Sequence, residues 1–296
     1  MNVIPLLIAI IASFAAVLLG IGTAFHYTVN PFFLKTPPSQ SVRQGFPVAQ
    51  LSSVVTVTPT PDLGIPPILS GEKGIKVPIL LYHYISSNPN KDDKTRTGLS
   101  TIPSNFEAQL QLLTLQGYTT ITLDELAATF GGGALLPSKP VILTFDDGYE
   151  DFYTNAYPLL SKYHMKGIAF IPTGLMGGGN YMTWRQIEEM SKSSYVVFGA
   201  HSIHHYALSK VNQQILEQEV TESKRILEQH VGYPINWMAY PYGSFNENVV
   251  GAAKKAGYIG SVTTIPGSMQ YRSRFFYMPR FRAGNRLGAD FLKLLQ

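Results

Sequence analysis

From residue 76 onward, apolar and polar positions follow two alternating patterns. Short apolar runs at Val77–Leu81, Val141–Phe145, Gly167–Ile171, Tyr195–Ala200, Ile235–Tyr240 and Tyr258–Thr263 read as buried strands. Between them the spacing becomes helical. Asn105–Gln116 carries Phe106, Leu110 and Leu113 on one face, with Ser104 as a cap. Further helices are expected from Leu123 to the break at Gly131-Gly132-Gly133, and over Tyr149–His164, Thr183–Ser191, Val211–His230 and Asn246–Gly257. Strands that alternate with helices argue for parallel βαβ units. About six such units suit an α/β fold of the closed or distorted (β/α) barrel kind better than an open sheet.

The N-terminal quarter follows neither pattern. Val3–Phe25 carries no charged residue and is long enough to cross a bilayer as one helix, which takes ~20 residues. Gly22-Thr23-Ala24 offers a small-x-small cleavage pattern, so residues 1–27 are expected to be a transmembrane anchor or a signal sequence. No Lys or Arg precedes the span, while Lys35 and Arg43 follow it, so the positive-inside rule does not favour export. Export is favoured by the next segment, 28–75, which is rich in Pro, Ser and Thr and reads as an extracellular tether. Within it Leu51–Thr58 is also compatible with a strand. The expected organisation is therefore anchor 1–27, tether 28–75 and folded domain 76–296. The expected location is the cell membrane, single-pass with the domain extracytoplasmic, or secreted if the anchor is cut.

Composition narrows the chemistry. The 296 residues are 45% hydrophobic and 14% charged, ample for a large core. Net charge is +4, without a dense Lys/Arg run, so nucleic acid is not an expected partner. The chain has no cysteine, which excludes disulfides, thiolate nucleophiles and Cys-ligated zinc, and leaves His and carboxylate as metal ligands.

Three strand ends carry candidate chemistry. The run Val141–Phe145 ends in Asp146-Asp147-Gly148, and ligands in such folds sit beyond the carboxyl ends of strands. Two adjacent carboxylates raise each other's pKa, and a divalent cation beside one resolves the conflict. Read alone, the stretch equally describes aspartates capping a helix N-terminus. Next, Ala200-His201-Ser202-Ile203-His204-His205 follows a strand. On a helical turn His201 and His205 would project from one face, the spacing of paired imidazole ligands. His204 fits a surface residue or a hydrogen-bond partner as well as it fits a ligand in this reading. Finally, Ala239-Tyr240-Pro241-Tyr242-Gly243 closes a strand with a tight turn. Its N–H groups could stabilise an oxyanion, and Tyr240 and Tyr242 could stack on a sugar ring. Trp184 lines a sugar subsite or packs in the core.

Together these segments resemble the polysaccharide deacetylases of the NodB-homology type, carbohydrate esterase family four. Thr144–Tyr149 is similar to the family's first motif, which implies Asp146 as general base and Asp147 as metal ligand. His201–His205 matches the second, implying His201 and His205 as further ligands. Ala239–Tyr242 lies where the family usually has Arg-x-Pro-Tyr, implying an oxyanion contact from the Tyr242 N–H. The opening strand ending in Tyr82-His83 resembles a subgroup of poly-N-acetylglucosamine deacetylases, and implies His83 as general acid. One departure stands out: Ala239 replaces the arginine that orients the catalytic aspartate in many relatives. Met278-Pro279-Arg280-Phe281-Arg282 resembles a late Pro-Arg segment of the subgroup. Arg280 could therefore reach the same carboxylate, or both arginines could be exposed charges along a strand. The resemblance implies a divalent ion (zinc, or cobalt or nickel), an N-acetylated glycan substrate, and hydrolysis of its acetamide.

Overall fold

The computed structural model describes residues 64–133 and 135–296. The expected anchor, the strand considered at Leu51–Thr58 and most of the expected tether lie outside the described residues. Among the described residues no helix is long and apolar enough to cross a membrane. The described end of the tether segment packs on the domain. Ile65 touches the apolar core, the Pro66 carbonyl accepts from Arg274 Nε at 2.9 Å, and Glu72 accepts the Ser273 N–H at 2.9 Å. Contacts of the folded body thus begin ahead of Lys76.

In chain order the elements are β1 (Ile75–Lys76), β2 (Ile79–Tyr82), α1 (Lys94–Leu99), α2 (Pro103–Leu115), β3 (Thr119–Thr120), α3 (Leu123–Phe130) and β4 (Pro140–Phe145). There follow α4 (Tyr157–Lys162), β5 (Gly167–Ile171), α5 (Trp184–Met190), β6 (Val196–Ala200), α6 (Gln213–Val231), β7 (Trp237–Ala239), α7 (Glu247–Lys255), β8 (Gly260–Val262), β9 (Met269–Gln270), β10 (Phe281–Arg282) and α8 (Gly288–Leu292). Local chemistry explains the helix starts. Thr122 with Glu125 and Thr183 with Gln186 form capping boxes, and Asn212 and Asn246 cap α6 and α7. Gly232, at φ 79°, ends α6 in the left-handed conformation that glycine tolerates best.

The sheet is parallel throughout, in the order β10-β2-β4-β5-β6-β7-β8, with β3 alongside the start of β4. Both faces are covered, which is why these strands are apolar without interruption. Alternate residues divide between two clusters. Ile79, Ile142, Phe170, Trp237 and Val262 pack together, while Leu80, Leu143, Phe145 and Ala169 pack with helix residues such as Phe106, Leu110 and Leu160. At Gly199 a Cβ would run into the Phe170 ring, so glycine is needed for that ring to pack. The two edges of the sheet are joined by one segment: Met278 bridges to Val262 of β8, and Phe281 and Arg282 pair with Leu80 and Leu81 of β2. This curled parallel sheet agrees with the barrel expectation.

Two expectations are corrected. The helix expected over Tyr149–His164 is present over 150–162 but is not regular throughout, because Phe152–Ala156 take π-helical bonding ahead of α4. Pro158 has no N–H to complete regular α-helical bonding there, and a wider turn absorbs the break. Residues 201–207 are not a helical turn either, because Ser202 and His205 have φ of 62° and 58°.

Candidate active site

The ends of β2, β4, β6 and β7 place the expected residues around one cavity of about 300 Å³, whose walls include His83, Asp146, Asp147, His201, His205 and Tyr242. At the end of β4 the chain reverses sharply: Asp147 and Gly148 are both left-handed, with φ of 76° and 68°. Alternation along the strand puts Thr144 and Asp146 on one side, and the turn sends Asp147 toward β6. Of five non-glycine residues with positive φ among the described residues, Asp147, Ser202, His205 and Tyr242 belong to this site. Such backbone persists only where surrounding structure enforces it, and it clusters at functional sites.

Asp147, His201 and His205 form a tight triangle. Asp147 Oδ1 lies 3.3 Å from His201 Nε2 and 3.1 Å from His205 Nε2, and the two Nε2 atoms are 3.2 Å apart. His201 Nδ1 is 2.7 Å from the Ala239 carbonyl, which only accepts, so Nδ1 carries a proton and the Nε2 lone pair of the neutral ring faces the triangle. Asp147 Oδ1 is buried without a satisfying hydrogen bond. Lone pairs converging on a buried carboxylate oxygen call for a cation. A tetrahedral ion at ~2.0–2.1 Å from each ligand would separate the ligands by roughly 3.3 Å, close to the observed edges. The residues present therefore fit a divalent metal.

Asp146 is only 4% exposed and is gripped by Arg280, which is 1% exposed. Arg280 Nη1 and Nη2 donate to its two oxygens at 2.8 and 2.7 Å. The same guanidinium donates to Thr144 Oγ1 at 3.0 Å and, through Nε, to the Thr263 carbonyl at 2.8 Å. Burial pushes the Asp146 pKa up, yet the Arg280 charge and hydrogen bonds prevail and leave it lowered. The alternative of an exposed Arg280 is excluded. Ala239 is fully buried, and its carbonyl serves His201.

His83 follows β2 directly and faces the same cavity. Burial lowers its pKa to about 4, against the opposing pull of the Asp146 and Asp147 charges, so the resting imidazole is neutral at pH 7. Tyr242 stands 71% exposed with its ring centroid 4.5 Å from that of His205. The turn around it is held by the Gly243 N–H on the Tyr240 carbonyl and the Ser244 N–H on the Pro241 carbonyl, and neither bond uses the Tyr242 N–H. The two remaining candidates for sugar contact sit differently. Tyr240 is 1% exposed and donates its hydroxyl to the Phe276 carbonyl at 3.1 Å, so only Tyr242 of the pair presents a face to solvent. Trp184 is away from the cavity walls and stacks on His230 of α6, with centroids 3.8 Å apart, which is the packing alternative. His204 is a hydrogen-bond partner, with Nδ1 2.6 Å from Glu219 Oε1.

Sequence reasoning left out several groups beside the site. Arg282, considered above only as an exposed charge, is indeed exposed on β10 but also joins the cavity wall. The same period of two that aims Arg280 inward could have indicated it. Tyr84 and Tyr149 stack 3.5 Å apart, Tyr149 lies 5.3 Å from Tyr181, and Arg96 covers the other face of Tyr84. Adjacency of Tyr84 to His83, and of Tyr149 to Gly148, was the available signal.

A curled parallel sheet with an Asp-His-His cluster and a clamped second aspartate at its strand ends defines a hydrolase built around a metal-ligand set. Residues 135–260 match the family described as Polysaccharide deacetylase. The chain is 33% identical over 223 residues to YxkH of Bacillus subtilis (strain 168), named as a polysaccharide deacetylase, covering 74% of this chain and 77% of that one. It is 28% identical over 213 residues to the poly-beta-1,6-N-acetyl-D-glucosamine N-deacetylase of Staphylococcus aureus (strain MRSA252), covering 68% and 71%. The structure of the Streptococcus pyogenes deacetylase PplD in complex with acetate superimposes with a TM-score of 0.69 at 28% identity, covering 76% of this chain and all of that one. This chain belongs to the polysaccharide deacetylase family, hydrolases of N-acetyl amides.

Proposed function

We propose that this protein removes N-acetyl groups from an extracytoplasmic N-acetylhexosamine polysaccharide. The carrying observation is the Asp147–His201–His205 triangle, which opens on the same cavity as Asp146 and His83. A divalent ion held by those three residues, zinc in the first instance, would polarise the acetyl carbonyl and lower the pKa of a water toward ~7. Asp146 accepts the proton of the attacking water. Arg280 keeps that carboxylate ionised and fixes the direction of both oxygens. The Tyr242 N–H donates to the oxygen that gains charge, and the Tyr242 ring offers a face to the sugar. His83 protonates the departing nitrogen. Because its imidazole is neutral at rest, it must gain that proton before the carbon–nitrogen bond breaks.

An alanine at 239 would favour a second reading, a non-catalytic membrane-tethered glycan-binding module, but Arg280, just ahead of β10, supplies a guanidinium to Asp146. Similarity to a poly-beta-1,6-N-acetyl-D-glucosamine deacetylase favours an amide over an O-acetyl ester. An extracytoplasmic location is supported by the uncharged Val3–Phe25 run and the Pro-rich segment after it. The test is acetate release by the full-length chain from poly-β-1,6-N-acetylglucosamine, chitooligosaccharides, peptidoglycan and acetylated xylan. Release from an N-acetylhexosamine polymer is expected. Release from xylan alone would replace the amide by an ester, and cell fractionation checks the location.

A further inference from the structure

Glu219 lies on the apolar stripe of α6, with Leu216, Val220, Ser223 and Leu227, and is 3% exposed. A carboxylate at a packing position is costly unless several donors satisfy it. Here all of them come from the histidine loop. Oε2 accepts the N–H groups of Ile203 and His204 at 2.8 and 2.9 Å, and Oε1 is 2.6 Å from His204 Nδ1. From the other side, the N–H groups of Thr173 and Gly174 donate to the carbonyls of Ser202 and Ile203 at 3.1 and 2.9 Å. The loop between His201 and His205 is thus held at its carbonyls by one segment and at its N–H groups by one side chain.

The loop needs holding because the two imidazoles do not converge by helical geometry. Ser202 and His205 both occupy the left-handed region, which β-carbon-bearing residues avoid, and Ser202 Oγ takes the His205 N–H at 3.0 Å. A leucine would fill the space on α6 but leave two buried N–H groups unpaired.

We infer that Glu219 is a positioning residue for the metal ligands: by clamping the Ile203 and His204 N–H groups it keeps His201 and His205 converged on Asp147, and so sets the metal affinity of the site. The inference rests on the metal reading above. It is tested on the full-length chain by Co²⁺ titration, followed by the visible absorption of the bound ion, with circular dichroism as the fold control. Glu219→Ala is expected to lower Co²⁺ affinity roughly 10–100-fold, as for other groups that orient ligands from behind, and to alter the Co²⁺ spectrum. Glu219→Gln, which keeps an acceptor for both N–H groups, is expected to restore affinity to within about threefold. If Glu219→Ala does not fold, Glu219→Asp, which keeps the charge but retracts it from the loop, carries the same expectation of weakened binding. Wild-type affinity and spectrum in a folded Glu219→Ala or Glu219→Asp would overturn the inference alone. Failure of the wild-type chain to bind Co²⁺ would overturn the metal reading and this inference with it.

Discussion

Arg280 holds Asp146 by both carboxylate oxygens, at 2.8 and 2.7 Å, across 134 residues of sequence. Each is the other's neutralising charge, and both are buried. Removing one partner of a buried pair strands the other and typically costs ~3–5 kcal/mol. Asp146→Asn is therefore expected to stop acetate release while binding metal as before, and also to lower the melting temperature. Arg280→Met combined with Asp146→Asn should cost less stability than the sum of the single changes. Thermal melts of the four proteins check the coupling, and normal turnover by Asp146→Asn would remove it from the role of base.

The metal ligands behave differently from the base. His201→Ala breaks the triangle and also frees the Ala239 carbonyl from its imidazole. Both stoichiometric metal and activity should be lost, and dialysis against a chelator should abolish wild-type activity until a divalent ion is returned. Elemental analysis of protein before and after dialysis provides the measurement.

His83 gives the folded state a pH dependence of known sign. Its folded pKa of about 4 lies below the unfolded value of 6.5, so the unfolded chain binds more protons between the two. The contribution is complete above about pH 6.5 and is lost as pH falls toward 4, amounting to on the order of 3 kcal/mol. His83→Gln, which cannot titrate, should lack this part of the acid sensitivity. In urea melts from pH 7 to pH 4 the wild type should lose more stability than His83→Gln as pH falls. Parallel curves would contradict the burial of His83.

At Tyr242, backbone and side chain can be separated. Tyr242→Gly retains the N–H and accommodates φ of 59° more readily, while removing the exposed ring. The expected result is a severalfold rise in KM on a polymeric substrate with kcat nearly kept. A fall in kcat without change in KM would instead make the ring part of the chemistry.

Much of this was legible in the sequence, for physical reasons that also explain the failures. Strands such as Gly167–Ile171 are buried on both faces, so their apolar runs declare them. Adjacent aspartates and a His-x-x-x-His spacing are local signals, and they lie at strand ends as expected. Helix α1, Lys94–Leu99, buries none of its residues, so no periodicity could announce it. The histidine loop defeated the helical reading because its shape is set by Ser202, Thr173, Gly174 and Glu219, and most of those contacts are remote in sequence. Tyr240 looked like a sugar platform because a Tyr-Pro-Tyr turn does not reveal which ring folds inward. Arg280 could be suspected from the vacancy at Ala239, but its four hydrogen bonds needed the three-dimensional neighbours Thr144 and Thr263.

The segment Met278–Arg282 that links β8 to β2 also dictates an order of events during synthesis. A chain growing from its N-terminus lays down the aspartates and histidines first, while the guanidinium that neutralises Asp146 is made only after the whole family-matched stretch 135–260. Nascent chains must carry that carboxylate uncompensated until Arg280 has been made. A stop codon even a few positions before Arg280 would yield a protein with every metal ligand and no working base.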